Sequence, residues 1–306
     1  AMTDIGRAAA LLRAGELIAF PTETVYGLGA DASNPHAVAR IFAAKGRPQF
    51  NPLISHVLSL ADAERHGELH PLARALIETF WPGPLTIVVP RRADSPVAEL
   101  ACAGLATIAL RSPSHPLARE LLAAFGGPVV APSANRSGHV SATTAAHAAA
   151  DLEGVVDLIL DGGPSTVGLE STIVAIDADG RATLLRPGAI SRDAIEAITG
   201  RLAMPALNTI AAPGMMESHY APRARIVLDA ATPPPGAAYL AFGAEAPPGG
   251  LSLSVSGDLT EAAANLYAHL RALDATGADT IAVAPIPGGG LAEAIRDRLA
   301  RAAAPR

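Results

Sequence analysis

Short apolar runs that stop abruptly in polar loops, alternating with helix-period segments, constrain the first two-thirds of this chain more than any other feature. "LIAF" reads as a buried strand ending at Pro21, "LTIVVP" and "TIALR" as strands, and "PVVAPSAN" as a strand entering a loop. "DLILDGG" and "STIVAID" complete the set. Between them lie helical patterns. "NPHAVARIFAAKG" has Asn34 as N-cap, Pro35 in its first turn and Gly46 after its end; "PLARALIETFW" and "HPLARELLAAFGG" follow; "SRDAIEAITG" is capped by Ser191 and stopped by Gly200. This alternation predicts an α/β layered domain over residues 1–201.

The pattern lapses over residues 202–225, which include "AAPGMMESHYAPRA" and read as an inter-domain linker. Beyond it, "AAYLAFG", "LSLSVSG", "TEAAANLYAHLRALDATGA", "DTIAVAPI" and "GGGLAEAIRDRLARAA" give the order β-β-α-β-α. That order resembles part of a doubly wound, Rossmann-like sheet, so residues 226–306 are expected to form a small second α/β domain. A chain of 306 residues, half of them hydrophobic, is long enough for two cores.

Several function classes are disfavoured. No apolar run is long enough to cross a bilayer, and no signal segment is evident, so a cytoplasmic protein without membrane contact is expected. The single cysteine, Cys102, permits no internal disulfide and reads as a small buried hydrophobe. The net charge of -6 comes with no basic tail or Lys/Arg block, which lowers the case for nucleic acid held through its phosphates. There is no G-x-x-x-x-G-K-[ST], no Cys/His spacing suited to zinc and no G-x-S-x-G elbow, and "GLGADA" lacks the third glycine of a dinucleotide loop.

Polar residues concentrate in a few strand-end loops, where ligand sites of open α/β sheets gather. "FPTETVYGLGADA" offers Glu23 and Thr24, and "AKGRPQFNPLISHV" offers Lys45, Arg47, Asn51 and His56. Lys45 is the only lysine, against 22 arginines. "TIALRSP" offers Thr107 and Arg111, "VVAPSANRSGHVSATT" Ser133, Asn135 and Ser141, "DGGPSTVGLESTIV" Glu170 and Ser171, and "LLRPG" Arg186. Convergence of these loops would set several cations and many hydroxyls around one ligand, a set suited to a nucleoside triphosphate beside a small carboxylate substrate. Each residue also has a plainer reading. Hydroxyls form turns, Lys45 faces a helix C-terminus, His56 sits in an apolar stretch, and Trp81 packs. Glu23 and Glu170 are open between general base, magnesium contact and loop support. His219 and Tyr220, an aromatic pair in a linker, are candidates for docking the two domains.

Together, "PTETVYGLG", "KGRP…NPL…H", "PSAN", "ESTI" and "LRPG", in that order, resemble the YrdC family, and "PGMMESHYAP" resembles the linker signature of its long, two-domain form. The resemblance implies a twisted α/β catalytic domain with a large concave cavity, over which the linker folds back, plus the Rossmann-like C-terminal domain. It implies a nucleotidyl transfer in which L-threonine, bicarbonate or carbon dioxide, and ATP give threonylcarbamoyl-AMP and pyrophosphate. A transferase machinery would then carry the threonylcarbamoyl group to tRNA, with little or no direct tRNA binding by this chain. Carried over by motif position, threonine would meet Thr24, His56, Arg111, Ala131 and Ser171. ATP would meet Arg47, Asn51, Thr107, Ser133, Asn135, Ser141, Arg186 and Tyr220. Lys45 and Arg47 would stabilise charge in the transition state, and magnesium would be held mainly by the ATP phosphates, without a protein metal site. The alternatives are a non-catalytic RNA-binding or assembly module of the same fold, or a carbamoyl-phosphate-using relative. The acidic balance argues against the first, and the lack of cysteine pairs argues against the second.

Overall fold

The computed structural model describes residues 4–205, 212–215 and 218–305, which form two sheets flanked by helices. The chain begins α1 (Asp4–Arg13), β1 (Ile18–Phe20), β2 (Gly27–Asp31), α2 (Pro35–Lys45), β3 (Ile54–His56) and α3 (Leu60–Ala63). It continues α4 (Pro71–Phe80), β4 (Leu85–Pro90), β5 (Thr107–Arg111), α5 (Pro116–Phe125), β6 (Val129–Val130) and α6 (Ala145–Leu152). The first unit closes with β7 (Leu158–Ile159), β8 (Thr172–Ile176), β9 (Ala182–Arg186) and α7 (Arg192–Thr199). Its nine strands make one mixed sheet in the order β7-β1-β2-β6-β3-β5-β4-β8-β9.

Local chemistry sets several of these boundaries. The Asn34 side chain accepts from the backbone N–H groups of His36 and Ala37, and Gly46 ends α2 in the left-handed conformation; a cap of this kind contributes about 1 kcal/mol. The "HPLAR" segments opening α4 and α5 use one solution: the imidazole Nδ1 of His70 or His115 accepts from the N–H two residues on, with proline following. Three strands of this unit are not read from the sequence, among them β9, "ATLLR". "GLGAD" is β2, where a Cβ on Gly29 would lie 2.9 Å from the Phe20 ring, so glycine here admits a neighbouring side chain rather than a phosphate. "ISH" is β3, a strand inside what reads as a Gly/Pro loop.

The second unit contains β10 (Arg225–Val227), β11 (Ala238–Ala241), β12 (Leu251–Ser252), α8 (Leu259–Ala275), β13 (Thr280–Val283) and α9 (Leu291–Ala303). Its strands are all parallel, in the order β10-β13-β11-β12. Arg225, the last residue of the expected linker, opens β10. Trp81 packs on the main core and donates to the Leu85 carbonyl, and Cys102 is buried in that core.

The register of the large sheet positions the site. His56 faces Arg111, Arg111 faces Thr86, Thr86 faces Ile173 and Ile173 faces Arg186. Facing residues share one side of a sheet. Two arginines, a histidine and a threonine therefore form a row across β3, β5, β4 and β9. Beside it runs an apolar row of Ile54, Ala109 and Val88, on which the linker's Ala212 and Met215 pack.

Candidate active site

The polar row opens into a small pocket. Thr24, Arg47, His56, Arg111, Ala131, Ser133, Ser171, Arg186 and Tyr220, all expected from sequence, line it. Val25, Ile54, Pro132, Glu170 and the linker residues Pro213, Gly214 and His219 complete the wall. The cavity left is about 50 Å³, whereas a site for a drug-sized ligand is roughly 300–1,000 Å³. The concavity expected from the resemblance is therefore filled here by linker residues. A groove of about 980 Å³ lies elsewhere, beside Phe125, His66 and Asp94. Its arginines are engaged locally: Arg13 by carbonyls of α5, Arg65 by Asp62 and Arg92 by Asp94. None of the expected site residues lines it, so size alone does not mark it as the functional site.

Five expected residues do not line the pocket. The Lys45 ammonium donates to the carbonyls of Ser133 and Asn135, and the Ser137 N–H returns a bond to the Lys45 carbonyl. Lys45 thus braces the Ser133–Ser137 loop from the end of α2. Burial, and then Arg47 beside it, push its ammonium well below the usual lysine range. Asn135 is buried and donates to the carbonyls of Arg136 and His139. Asn51 is buried, with its carbonyl accepting from Arg47 Nε. Ser141 gives its hydroxyl to Glu170 at 2.6 Å. Thr107 starts β5, on the face of Arg111 but at the far end of the strand.

The pocket's cations are rigidly held. Arg111 Nη2 donates to Glu23 Oε1 at 2.7 Å and its Nε to the Gly83 carbonyl at 3.4 Å. Among the described residues this leaves Nη1 and the second Nη2 hydrogen for a ligand carboxylate. Burial would raise the Glu23 carboxyl, but the Arg111 guanidinium holds it below the usual range. Glu23 Oε2 also accepts from the Ser114 N–H, so Glu23 supports a loop and an arginine. Arg186 spans Ser171 and the linker: Nε and Nη2 donate to the Ser171 carbonyl, and Nη1 to the Pro213 carbonyl at 3.1 Å. Arg47 donates to the Asn51 and Pro52 carbonyls, and burial lowers it to about 10, still cationic at neutral pH. His56, buried next to Arg111, is pushed down to about 3 and is neutral, and its Nδ1 has no partner among the described residues.

Behind the linker's share of the wall stands the second unit. Tyr220 stacks on Tyr267 of α8 with ring centroids 5.7 Å apart, and the Arg298 guanidinium of α9 lies 5.2 Å from the Tyr220 ring centroid. The linker pair therefore touches both units. Thr86, Tyr267 and Arg298 escape a sequence reading. For Arg298 there is a signal: the buried positions of α9 are Ala292, Ala294, Ile295, Arg298, Leu299 and Ala302, so an arginine interrupts an apolar stripe. A charge in such a stripe needs a partner elsewhere.

The profile of the Sua5/YciO/YrdC family, described as telomere recombination, matches residues 10–188, and that of the threonylcarbamoyl-AMP synthase C-terminal domain matches residues 190–304. Threonylcarbamoyl-AMP synthase of Bacillus subtilis (strain 168) is 40% identical, over 99% of this chain and 94% of that protein. The protein of the same name from Pyrococcus abyssi is 39% identical, over 96% of this chain and 92% of its own length. The crystal structure of P. abyssi Sua5 complexed with L-threonine superimposes with a TM-score of 0.90 at 36% identity, covering 98% of this chain and 94% of that one. With both profiles matched and relatives aligned over nearly its whole length, the chain belongs to the Sua5/YciO/YrdC family, in the form that carries the threonylcarbamoyl-AMP synthase C-terminal domain.

Proposed function

We propose that this chain forms threonylcarbamoyl-AMP and pyrophosphate from L-threonine, carbon dioxide or bicarbonate, and ATP. The observation that carries this reading is the convergence of Arg47, Arg111 and Arg186 with Thr24, His56, Ser133 and Ser171 on one pocket. The names of the relatives, and the threonine complex of P. abyssi Sua5, support the same substrate.

Threonine's amine attacks carbon dioxide; a C–N bond forms and the nitrogen loses a proton, giving an N-carboxylate. From bicarbonate, that proton leaves with the displaced hydroxide as water. A carboxylate oxygen then attacks the α-phosphorus of ATP, an O–P bond forms, and the bond to pyrophosphate breaks. No protein nucleophile is needed. Arg111's open edge suits the amino-acid carboxylate, and Arg47 and Arg186 suit the charge that grows on phosphate and leaving group. With its imidazole held down to about 3, His56 is a hydrogen-bond partner rather than a base at neutral pH. Both carboxylates at the pocket, Glu23 and Glu170, are engaged by arginine. Their donor set fits a protein-bound magnesium ion poorly, and the metal would arrive held by the triphosphate.

A cavity of about 50 Å³ cannot admit ATP, so Pro213–Gly214 and His219–Tyr220 must move aside for entry. Closing again would keep water from the unstable N-carboxy intermediate. On this reading residues 1–201 are the catalytic body, 202–225 carry the lid and 226–306 are the second domain. The product would pass to a transferase that modifies tRNA, in the cytoplasm. Among the described residues no helix is long and apolar enough to cross a membrane.

Purified protein with magnesium and ATP should release pyrophosphate only when threonine and bicarbonate are both present. ATP binding without that turnover, or turnover on carbamoyl phosphate in place of the two, would overturn the reading.

A further inference from the structure

Glu170 lines the pocket and directly precedes Ser171, yet much of what holds its carboxylate comes from the second domain. Oε1 accepts from the Ser141 hydroxyl at 2.6 Å, while Oε2 accepts from the Tyr267 hydroxyl of α8 and from Arg298 Nε of α9, both at 2.8 Å. The Arg298 side chain is wholly buried, and its Nη1 donates to Asp297 at 2.6 Å. Its Nη2 has no partner among the described residues. The same guanidinium faces the ring of Tyr220 in the linker.

Burying a guanidinium in an apolar stripe is costly, and hydrophobic residues of similar volume often serve stability as well or better. The cost makes sense if Arg298 acts on something outside its own domain, and the geometry supplies that target. A Cβ on Gly168 would lie 2.5 Å from Ala264 Cα, so α8 rests directly on the loop that leads to Glu170. One residue later, the Ser171 carbonyl takes two bonds from Arg186, whose other arm holds the linker at Pro213. A chain of contacts therefore runs from α9 through Glu170 and Ser171 to Arg186, and a second from α9 through Tyr220 to the linker.

We propose that Arg298 is a positioning residue for the reaction: from the second domain it fixes Glu170 and Ser171 against Arg186 and seats Tyr220 over the pocket, so that the site is complete only with the second domain docked. This rests on the synthase reading above. The groups facing Glu170 are Arg298 with Asp297 behind it on α9, Tyr267 on α8, Arg186 at the end of β9, His219 and Tyr220 of the linker, and the Ser141 hydroxyl. Burial alone would raise the Glu170 carboxyl, but Arg298, then Arg186, bring it down to about 2. Without Arg298 the carboxyl moves upward.

The test is steady-state pyrophosphate release by full-length Arg298→Gln, Arg298→Lys and Tyr267→Phe across pH, with thermal melting as the control for folding. Arg298→Gln should raise KM for threonine ~10-fold, with a smaller change in kcat, as expected for losing a charged hydrogen bond behind a substrate contact. It should also acquire an acid-side inflection that the wild type lacks, because the buried carboxyl loses the larger of its two cations and titrates higher. Arg298→Lys should remove the inflection and restore part of KM. Tyr267→Phe, which keeps the ring and loses one bond to the same oxygen, should shift both in the same sense by less, and it decides the matter if Arg298→Gln does not fold. A lowered melting temperature with KM and pH profile unchanged would make Arg298 a structural lock only and overturn the coupling. Wild-type protein without turnover would instead overturn the synthase reading, and the coupling with it.

Discussion

Two buried arginine–carboxylate pairs each put one member on the wall of the same pocket, Arg111 from the first and Glu170 from the second, and they are close in geometry. Arg111 meets Glu23 at 2.7 Å with side chains 5% and 7% exposed; Arg298 meets Glu170 at 2.8 Å with side chains 0% and 8% exposed. They differ in what they join. The first ties the end of β5 to the loop after β1 within one sheet, and its guanidinium keeps an edge for a ligand. The second ties a loop of the catalytic unit to a helix of the other unit, and its guanidinium meets a linker ring. Similar chemistry therefore serves recognition in one place and assembly in the other. In both, removing one partner strands a buried charge, which is far more damaging than removing an exposed pair.

The comparison breaks most sharply at Arg111. Arg111→Ala should lower threonine-dependent turnover by roughly 10²- to 10³-fold, through loss of a preorganised cation at the substrate. It should also cost about 3–5 kcal/mol in urea unfolding, because Glu23 stays buried without its partner. Arg111→Lys should recover little, since an ammonium cannot serve Glu23 and a substrate carboxylate with one planar fork. Turnover of Arg111→Ala within tenfold of wild type would show that the two pairs are alike after all, both structural.

The two pairs also differ in how visible they are in the sequence. Arg111 is legible because "TIALR" ends a strand and strand ends converge; so are Arg47, Arg186, Ser133 and Ser171, and with them the layered α/β fold and the parallel second sheet. The register that lines up His56, Arg111, Thr86 and Arg186 is not legible, because β3 is three residues long and hidden in a Gly/Pro-rich stretch. Lys45 is singled out correctly as unusual, but its partners are backbone carbonyls, which composition and spacing cannot show. Arg298 betrays only that it interrupts a stripe; its partner lies 128 residues away in sequence. Contacts made by docking one unit on another leave no local periodicity to read.

A histidine accompanies each pair, and acid should reveal both. Burial, and then Arg111, take His56 from 6.5 to about 3; burial leads again for His219, which also falls to about 3. A folded value below the unfolded one means that the unfolded chain binds the extra proton. Stability is therefore full above about pH 6.5 and is lost as pH falls toward 3. Glu23 and Glu170, also lowered in the fold, extend the loss below their ordinary 4.5. Unfolding free energies from urea titrations should decline from about pH 7 downward by on the order of a few kcal/mol. His56→Gln and His219→Gln should each flatten the upper part of the decline. A profile flat from about pH 7 to pH 5 would mean that neither histidine is held neutral by burial.

The smallest effect is expected where the second unit meets the linker. Tyr220 has φ +63° and a buried hydroxyl without a partner among the described residues. Its ring is held by Tyr267, Arg298 and His219. Gly214 closes over that hydroxyl; it has φ +80°, and a Cβ there would lie 2.6 Å from the oxygen. An unsatisfied buried hydroxyl costs about 1–3 kcal/mol, so nothing among the described residues explains a tyrosine in preference to phenylalanine. A nucleotide contact, made once the linker has moved, would explain it. Tyr220→Phe should then leave stability unchanged or raise it by about 1 kcal/mol, while KM for ATP rises a few-fold, at most the ~10-fold worth of one hydrogen bond. A clear loss of stability would mean that the hydroxyl has a partner in the closed state. An unchanged KM would reduce Tyr220 to its ring, leaving the two pairs to differ only in where their arginines come from.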